Sequence, residues 1–310
     1  MSDQFRDPFD GKLTRDPSVA LPDVVPVPIE RDGPRSRIEA VIEFVGPRSI
    51  PAHAAARLVD PDWFAALGQP AAWAKRPADT QWQRLTGDRN GSYDSLALSW
   101  PLIRAQGDLT PHAAGLLHQT AQPFAQAIER IAILIPMADD LPGIVSDLRR
   151  VVDTLDIGIS LLFLPARGAV AEREIWLACA ALGLQYSPEG SFEWRIDASP
   201  LPLFAVHPAG RYDRFSLAQV QSGVQHEGLS LGFSVPLSPN PTRGMEGMLR
   251  AARFFCERLG GRVTDDAERF VDARVAEDLL KETAHAETLF RQAKIGPGTI
   301  EARRLFGPTV

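Results

Sequence analysis

The stretch Leu229–Asp266, LSLGFSVPLSPNPTRGMEGMLRAARFFCERLGGRVTDD, reads in order as strand, turn, helix, stop and strand. Leu229, Leu231, Phe233 and Val235 alternate with Ser230, Gly232 and Ser234, the period-two pattern of a strand with one buried face. Pro236, Pro239 and Pro241 end the strand, and Thr242 can cap the helix that follows. Met245, Met248, Leu249, Ala252, Phe255, Cys256 and Leu259 then recur at helical spacing until Gly260-Gly261 closes the helix. Leu231, Phe233, Met248, Phe255 and Leu259 are expected to share one core, in which Phe233→Ala would cost about 3–5 kcal/mol.

Working backwards, Ile157–Pro165 (IGISLLFLP) reads as a strand and Glu174–Leu182, followed by Gly183, as a helix and its exit. Ser191–Ile196 and Leu203–Pro208 read as two more strands, and Arg274–Thr283 as a last helix. This order, with the strand ending Val235-Pro236 and the run Leu259–Asp266 (LGGRVTDD), resembles the C-terminal domain of the ZipA family over about residues 158–283. That resemblance implies binding of the carboxy-terminal tail of FtsZ, the tubulin-like division GTPase, on the uncovered face of a sheet. It also implies an amino-terminal membrane anchor and a Pro/Gln-rich linker, as family members usually carry. No apolar run of about 18 residues occurs in this sequence, so contact with the inner membrane would need an anchor absent from this chain.

The 310 residues exceed the ~100–200 of one domain, so two domains are expected. The net charge of −6 argues against a nucleic-acid or anionic-membrane binder, because the overall field repels both. Two cysteines, Cys179 and Cys256, lie in apolar helical stretches and read as reduced core residues of a cytoplasmic protein.

The first half repeats the element order of the second. Arg37–Val45 is a strand followed by a helix candidate, Pro51–Leu67, and strand candidates Gln81–Leu85 and Tyr93–Trp100. Ile131–Met137 (IAILIPM) stands opposite Leu231–Leu237 (LGFSVPL), and helix Leu141–Leu155 opposite Thr242–Leu259. The expected fold class is therefore α+β, an antiparallel sheet with helices packed on one face, as two tandem degenerate copies. The expected divisions are a disordered lead at 1–36, the degenerate copy at 37–156, the ZipA C-terminal-like domain at 157–290 and a tail at 291–310.

Little in the chain points to catalysis. His53, His112, His118, His207, His226 and His285 form no metal-ligand pattern and read as solvated. Asp139-Asp140, Asp265-Asp266 and the pair Glu172/Glu174 suit turns and helix starts. No G-x-S-x-G, G-x-G-x-x-G or phosphate-binding loop occurs. No catalytic residue, metal site or cofactor is expected.

The candidate site is the open sheet face, lined by Ser160, Leu162, Ser230, Gly232 and Ser234, with Phe192 or Trp194 at its edge. Trp194 has two readings, helix-facing core or partner-facing anchor, and a one-residue slip would invert the whole face. The resembled family carries a bulky aromatic at the position of Gly232, which makes the groove here smaller and more polar. The expected function is a non-enzymatic cell-division protein that binds the FtsZ tail and supports septal ring assembly at the cytoplasmic face of the inner membrane. Two alternatives are a duplicated protein- or ligand-binding module that no longer binds FtsZ, and an enzyme with a site between the two copies.

Overall fold

The computed structural model describes residues 8–9, 11–24, 30–47, 49–60, 64, 68–77, 79–85, 87, 90–196 and 199–307. They form two compact units, one from Glu30 to Thr154, the other from Leu155 to Phe306 together with the residues before Glu30. Both units are α+β with antiparallel sheets. Among the described residues no helix is long and apolar enough to cross a membrane.

The 30–154 unit contains β1 (Glu39–Val45), β2 (Ile50–Pro51), α1 (Ala52–Ala55), β3 (Ala71–Lys75), β4 (Gln83–Arg84), β5 (Ser92–Tyr93) and β6 (Ser95–Pro101). Then come α2 (Pro111–Ala127), β7 (Ile131–Ile135) and α3 (Leu141–Leu155). Its main sheet has the order β4-β3-β6-β1-β7, and β2 pairs with β5 apart from it. Thr110 caps α2 by accepting from the Ala113 N–H, and Pro111 opens the first turn, where no N–H is needed. Ala114, Leu117, Ala121, Phe124 and Ala125 form the helix's buried stripe. Phe124 meets Phe44 of β1 edge to face at 5.0 Å, which seats α2 on the Ala40, Ile42 and Phe44 side of the sheet.

Three expectations for this half need correction. The helix expected at Pro51–Leu67 is one α-turn and a 3-10 turn (Ala56–Val59), and residues 61–63 and 65–67 lie outside the described residues. Strand β3 and helix α2 were not anticipated. Ile131–Met137 is followed by the expected helix, α3, but begins as an edge strand, whereas the strand set opposite it, Leu231–Leu237, lies inside its sheet. That particular pairing of the two halves therefore fails.

The second unit contains β8 (Gly158–Pro165), β9 (Val170–Ala171), α4 (Glu172–Leu182), β10 (Gln185–Tyr186), β11 (Phe192–Trp194), β12 (Phe204–Ala209), α5 (Leu217–Gln221) and β13 (Gln225–His226). It continues with β14 (Gly228–Ser234), α6 (Pro241–Phe255), β15 (Gly261–Asp265), α7 (Ala273–Gln292) and α8 (Ile300–Phe306). The main sheet runs β10-β11-β12-β14-β8-β15, with every neighbouring pair antiparallel. One cluster joins Leu161, Phe163, Val206, Leu229 and Leu231 of the strands to Ile175 and Cys179 of α4 and Met245, Met248 and Phe255 of α6. Burial pushes the Cys179 thiol pKa well up, as a core thiol requires.

The helix α6 is capped by Asn240, not Thr242: the Asn240 side chain accepts from the Arg243 N–H and Pro241 takes the first position. Its Gly-Gly stop has two separate causes. Gly260 sits at φ 73°, the left-handed region, and a Cβ on Gly261 would lie 2.4 Å from the Leu164 carbonyl oxygen. The amino-terminal lead is ordered where described, contrary to the disorder expected for 1–36. Phe9 is buried and stacks on Trp176 at 5.4 Å, Leu21 joins the core, and the Asp16 N–H donates to Ala181 O. The expected tail also folds in part, as α8, with Phe306 against Phe290 of α7.

Phe233 packs against the core but is only partly buried, as is Leu259. Phe233→Ala should therefore cost about 2–3 kcal/mol in urea unfolding, below the range for a fully enclosed phenylalanine. A loss under about 1 kcal/mol would mean that the ring contributes nothing to this core.

Candidate functional site

The strand pairing fixes which side chains share the uncovered face. Leu161 pairs with Leu231, Leu231 with Val206, and Val206 with Phe192, all buried under the helices. The next residue in each strand points the other way. One row across that opposite face runs Gln185, Glu193, Ala205, Gly232, Ser160. The next runs His207, Ser230, Leu162, Thr264, and a third holds Gly228, Leu164 and Arg262. Ser234 pairs with Gly158 at one end. Among the described residues no helix of this unit packs on this face, and Ser160, Leu162, Ser230, Gly232 and Ser234 are all half-buried, neither core nor fully solvated.

Five of the seven residues expected at the site thus lie together. Phe192 and Trp194 do not: both are buried on the helix side. Trp194 packs against Phe204 with ring centroids at 5.6 Å, and its indole fills the space over Gly247 of α6. Phe192 lies against Trp176, Tyr186 and Phe215. The physical reason is the register of β11, whose outward residue is Glu193 between the two aromatics. Glu193 is itself covered, accepting from Arg195 Nε and Ser191 Oγ. The apolar anchors of the face are therefore aliphatic and small: Leu162, Leu164, Ala205 and Ala209.

Ala205, His207 and Thr264 belong to this face as well, beyond the residues expected there, and the alternation in Phe204–Ala209 (FAVHPA) carries the signal for the first two. His207 is exposed and supplies the face with its one ring donor among the described residues. At the β8–β15 end, Ser160 Oγ donates to Asp266 and ties the loop after β15 to the face. Asp265 closes that loop, accepting from the backbone N–H groups of Ala267 and Arg269 and from Arg269 Nε at 2.7 Å. Burial raises the Asp265 pKa, but these hydrogen bonds and the Arg269 charge outweigh it and hold the carboxyl below its ordinary value. The loop's stability is then present above the ordinary carboxylate range and lost as pH falls through the lowered value.

A second cluster departs from its expected role. Glu172 was read as a helix-start carboxylate and His226 as solvated, yet both are fully enclosed. Glu172 Oε1 accepts from Trp176 Nε1 at 3.1 Å and the Ser216 N–H at 2.7 Å, and His226 Nε2 lies 2.9 Å from Oε2. Tyr212 and Phe215 pack edge-on to the His226 ring. The cluster joins the start of α4, the cap of α5 and β13. It is a structural knot. Among the described residues no group of three or more His, Cys, Asp or Glu could hold a metal ion.

A helix-covered antiparallel sheet with its other face open defines this unit as an α+β sandwich. Residues 159–282 match the family model of ZipA, C-terminal FtsZ-binding domain, which spans β8 to α7 and meets the resemblance expected over 158–283. No curated protein matches the chain.

Proposed function

We propose that the open face of the β8–β15 sheet binds the carboxy-terminal tail of FtsZ, and that the chain is a non-enzymatic cell-division protein acting at the septal ring. The observation that carries this reading is the coincidence of the family match with a sheet on whose outer face, among the described residues, no helix of the unit packs. The chemistry is peptide recognition: two or three apolar side chains of an extended or helical segment laid over Leu162, Leu164 and Ala205. Ser160, Ser230, Thr264 and His207 supply hydrogen bonds around them.

The face has few large anchors, so affinity is expected to be no tighter than about micromolar. Gly232 is a poor place to test it. A Cβ there would stand 3.2 Å from the Ile159 carbonyl oxygen, so substitution strains the sheet as well as the groove. Leu162→Asp is cleaner, because it puts a charge at the middle of the face without touching the backbone. Titration calorimetry with a peptide copying the host's FtsZ carboxy-terminus should show micromolar binding to the parent and at least a tenfold loss in Leu162→Asp. Absence of binding by the parent at several hundred micromolar peptide would overturn the FtsZ reading. That result would favour a module that retains the fold and recognises something else, a reading to which the glycine and serines of the face lend support.

We also propose that the 30–154 unit is a diverged copy of the same design. Support comes from connectivity. In each unit the first strand (β1 or β8) lies between the strand before the long helix (β6 or β14) and the strand after it (β7 or β15). A further strand (β3 or β12) flanks β6 or β14, and a last helix (α3 or α7) follows. On this alignment Ile131–Ile135 corresponds to Gly261–Asp265. The outer strands differ, since β4 follows β3 in the chain whereas β11 precedes β12.

A further inference from the structure

The edge strand β7 carries an apolar stripe that the 30–154 unit leaves uncovered. Ile131, Ile133 and Ile135 share one face of the strand, and Met137 and the neighbouring Val45 extend it. These five side chains are 37% to 67% exposed, while Ala132, on the α2 side of the same strand, is buried. From Ile131 to Met137 the sequence is IAILIPM, without one charge. Natural edge strands are normally blunted by lysine, an inward charge or a bulge. No lysine, inward charge or bulge is present in this strand, and the one blunting residue, Pro136, lies just past its end.

The direction of its backbone groups follows from the sheet. The Leu102 N–H donates to Ile38 O, so the even residues of β1 bond to β6 and the odd ones, Val41, Glu43 and Val45, bond to β7. Their partners Ile135, Ile133 and Ile131 therefore turn their backbone groups inward, and Ala132 and Leu134 turn theirs to the outer edge. His118 Nε2 lies 2.9 Å from Ala132 O and occupies one of that carbonyl's two lone pairs.

We propose that β7 is a self-association edge, at which two copies of this chain pair their β7 strands antiparallel about a two-fold axis through Ile133. Ala132 of each copy then exchanges two hydrogen bonds with Leu134 of the other. Ile133 faces its own counterpart, and Ile131 of each copy faces Ile135 of the other. Every apolar side chain stays on one face, so the stripe doubles in width across the joint. A second copy fits because the strand is its own complement in this register and carries no charge to repel itself, whatever the net charge of the whole chain. The stripe is of the size of the largest apolar patch on a monomer, roughly 300–600 Å². Edge pairing leaves that face open and buries chiefly the two strand edges, less than the ~1,000 Å² of a stable specific interface. The dimer should accordingly be weak, with a dissociation constant in the micromolar range.

Sedimentation of the full chain from about 1 to 300 µM should show a monomer–dimer equilibrium, and Ile133→Lys, which sets two ammonium groups against each other, should raise the dissociation constant at least tenfold with an unchanged circular dichroism spectrum. The register has its own test. Ile133 and its counterpart form a non-hydrogen-bonded pair with Cα atoms about 4.5 Å apart, within disulfide reach. Ile133→Cys should oxidise to a cross-linked dimer while Ile135→Cys, offset from its own counterpart, should not. The parent, with Cys179 buried and Cys256 half-buried, sets the background. A parent that stays monomeric at 300 µM overturns the proposal, and so does equal cross-linking at positions 133 and 135. This inference does not depend on FtsZ binding, since neither experiment contains the peptide.

Discussion

Glu172→Ala should destabilise the Leu155–Phe306 unit by about 3–5 kcal/mol, the loss expected when one member of a fully buried hydrogen-bonded acid–histidine pair is removed. The carboxylate has no exposed surface, and its removal strands the Trp176 Nε1–H and the Ser216 N–H without an acceptor. Each buried donor left unpaired costs about 1–3 kcal/mol. His226 loses the partner of its Nε2 as well, and its other nitrogen, Nδ1, is buried without one among the described residues. Glu172→Gln keeps the size and one acceptor oxygen and should cost clearly less. Urea unfolding of the two variants gives the comparison, with an unchanged m-value guarding against a second transition. Equal losses for Ala and Gln would place the effect in the second carboxylate oxygen facing His226, which both variants remove, and not in packing or in the bonds to Trp176 and Ser216.

The second large effect is expected at Gly247, in the middle of α6. A Cβ at this position would fall 2.1 Å from Trp194 Cζ3, and the indole has Phe204 behind it. Overpacking a core typically costs about 1–3 kcal/mol and occasionally more. Gly247→Leu should reach the upper end or fail to fold. Gly247→Ala gains about 1 kcal/mol of helix propensity and should still come out destabilised. The measurement also decides where Trp194 points. A stabilised Gly247→Ala protein would mean that the indole is not under α6 and is free to serve on the open face.

That ambiguity at Trp194 marks the limit of what the sequence disclosed. The alternation of Leu229–Val235 was legible because each buried residue is aliphatic and each outward one is small or polar. In Phe192-Glu193-Trp194 the pattern is equally clear, but periodicity says which residues share a face and not which face is covered. Only the pairing of Phe192 with Val206, and so with Leu231 and the core, settles it. The Leu259–Asp266 run was legible because its glycines answer backbone constraints that no other residue meets.

Helix α2 escaped notice for a different reason. Its buried stripe is mostly alanine, which gives little contrast against its polar positions, although Thr110-Pro111 marks its start. Glu172 was misread because its partners are 44 and 54 residues away in the chain, and a glutamate at a helix start has an adequate local explanation. Phe9 and Leu21 sit in a Pro- and Asp-rich lead whose composition suggests disorder, yet these two, with Val19, Val24 and hydrogen bonds from Arg173, Arg250 and Asp16, dock its described part along α4 and α6.

Under the proposed function the uncovered sheet face, and no other surface of the unit, receives the FtsZ tail. Nuclear magnetic resonance of the full, deuterated chain titrated with that peptide tests it most directly. The amides of Ser160, Leu162, Ala205, His207, Ser230, Gly232 and Thr264 should shift together and saturate at one micromolar dissociation constant, while those of α4 and α6 stay in place. Shifts confined to the helices, or none at all at saturating peptide, would contradict the claim.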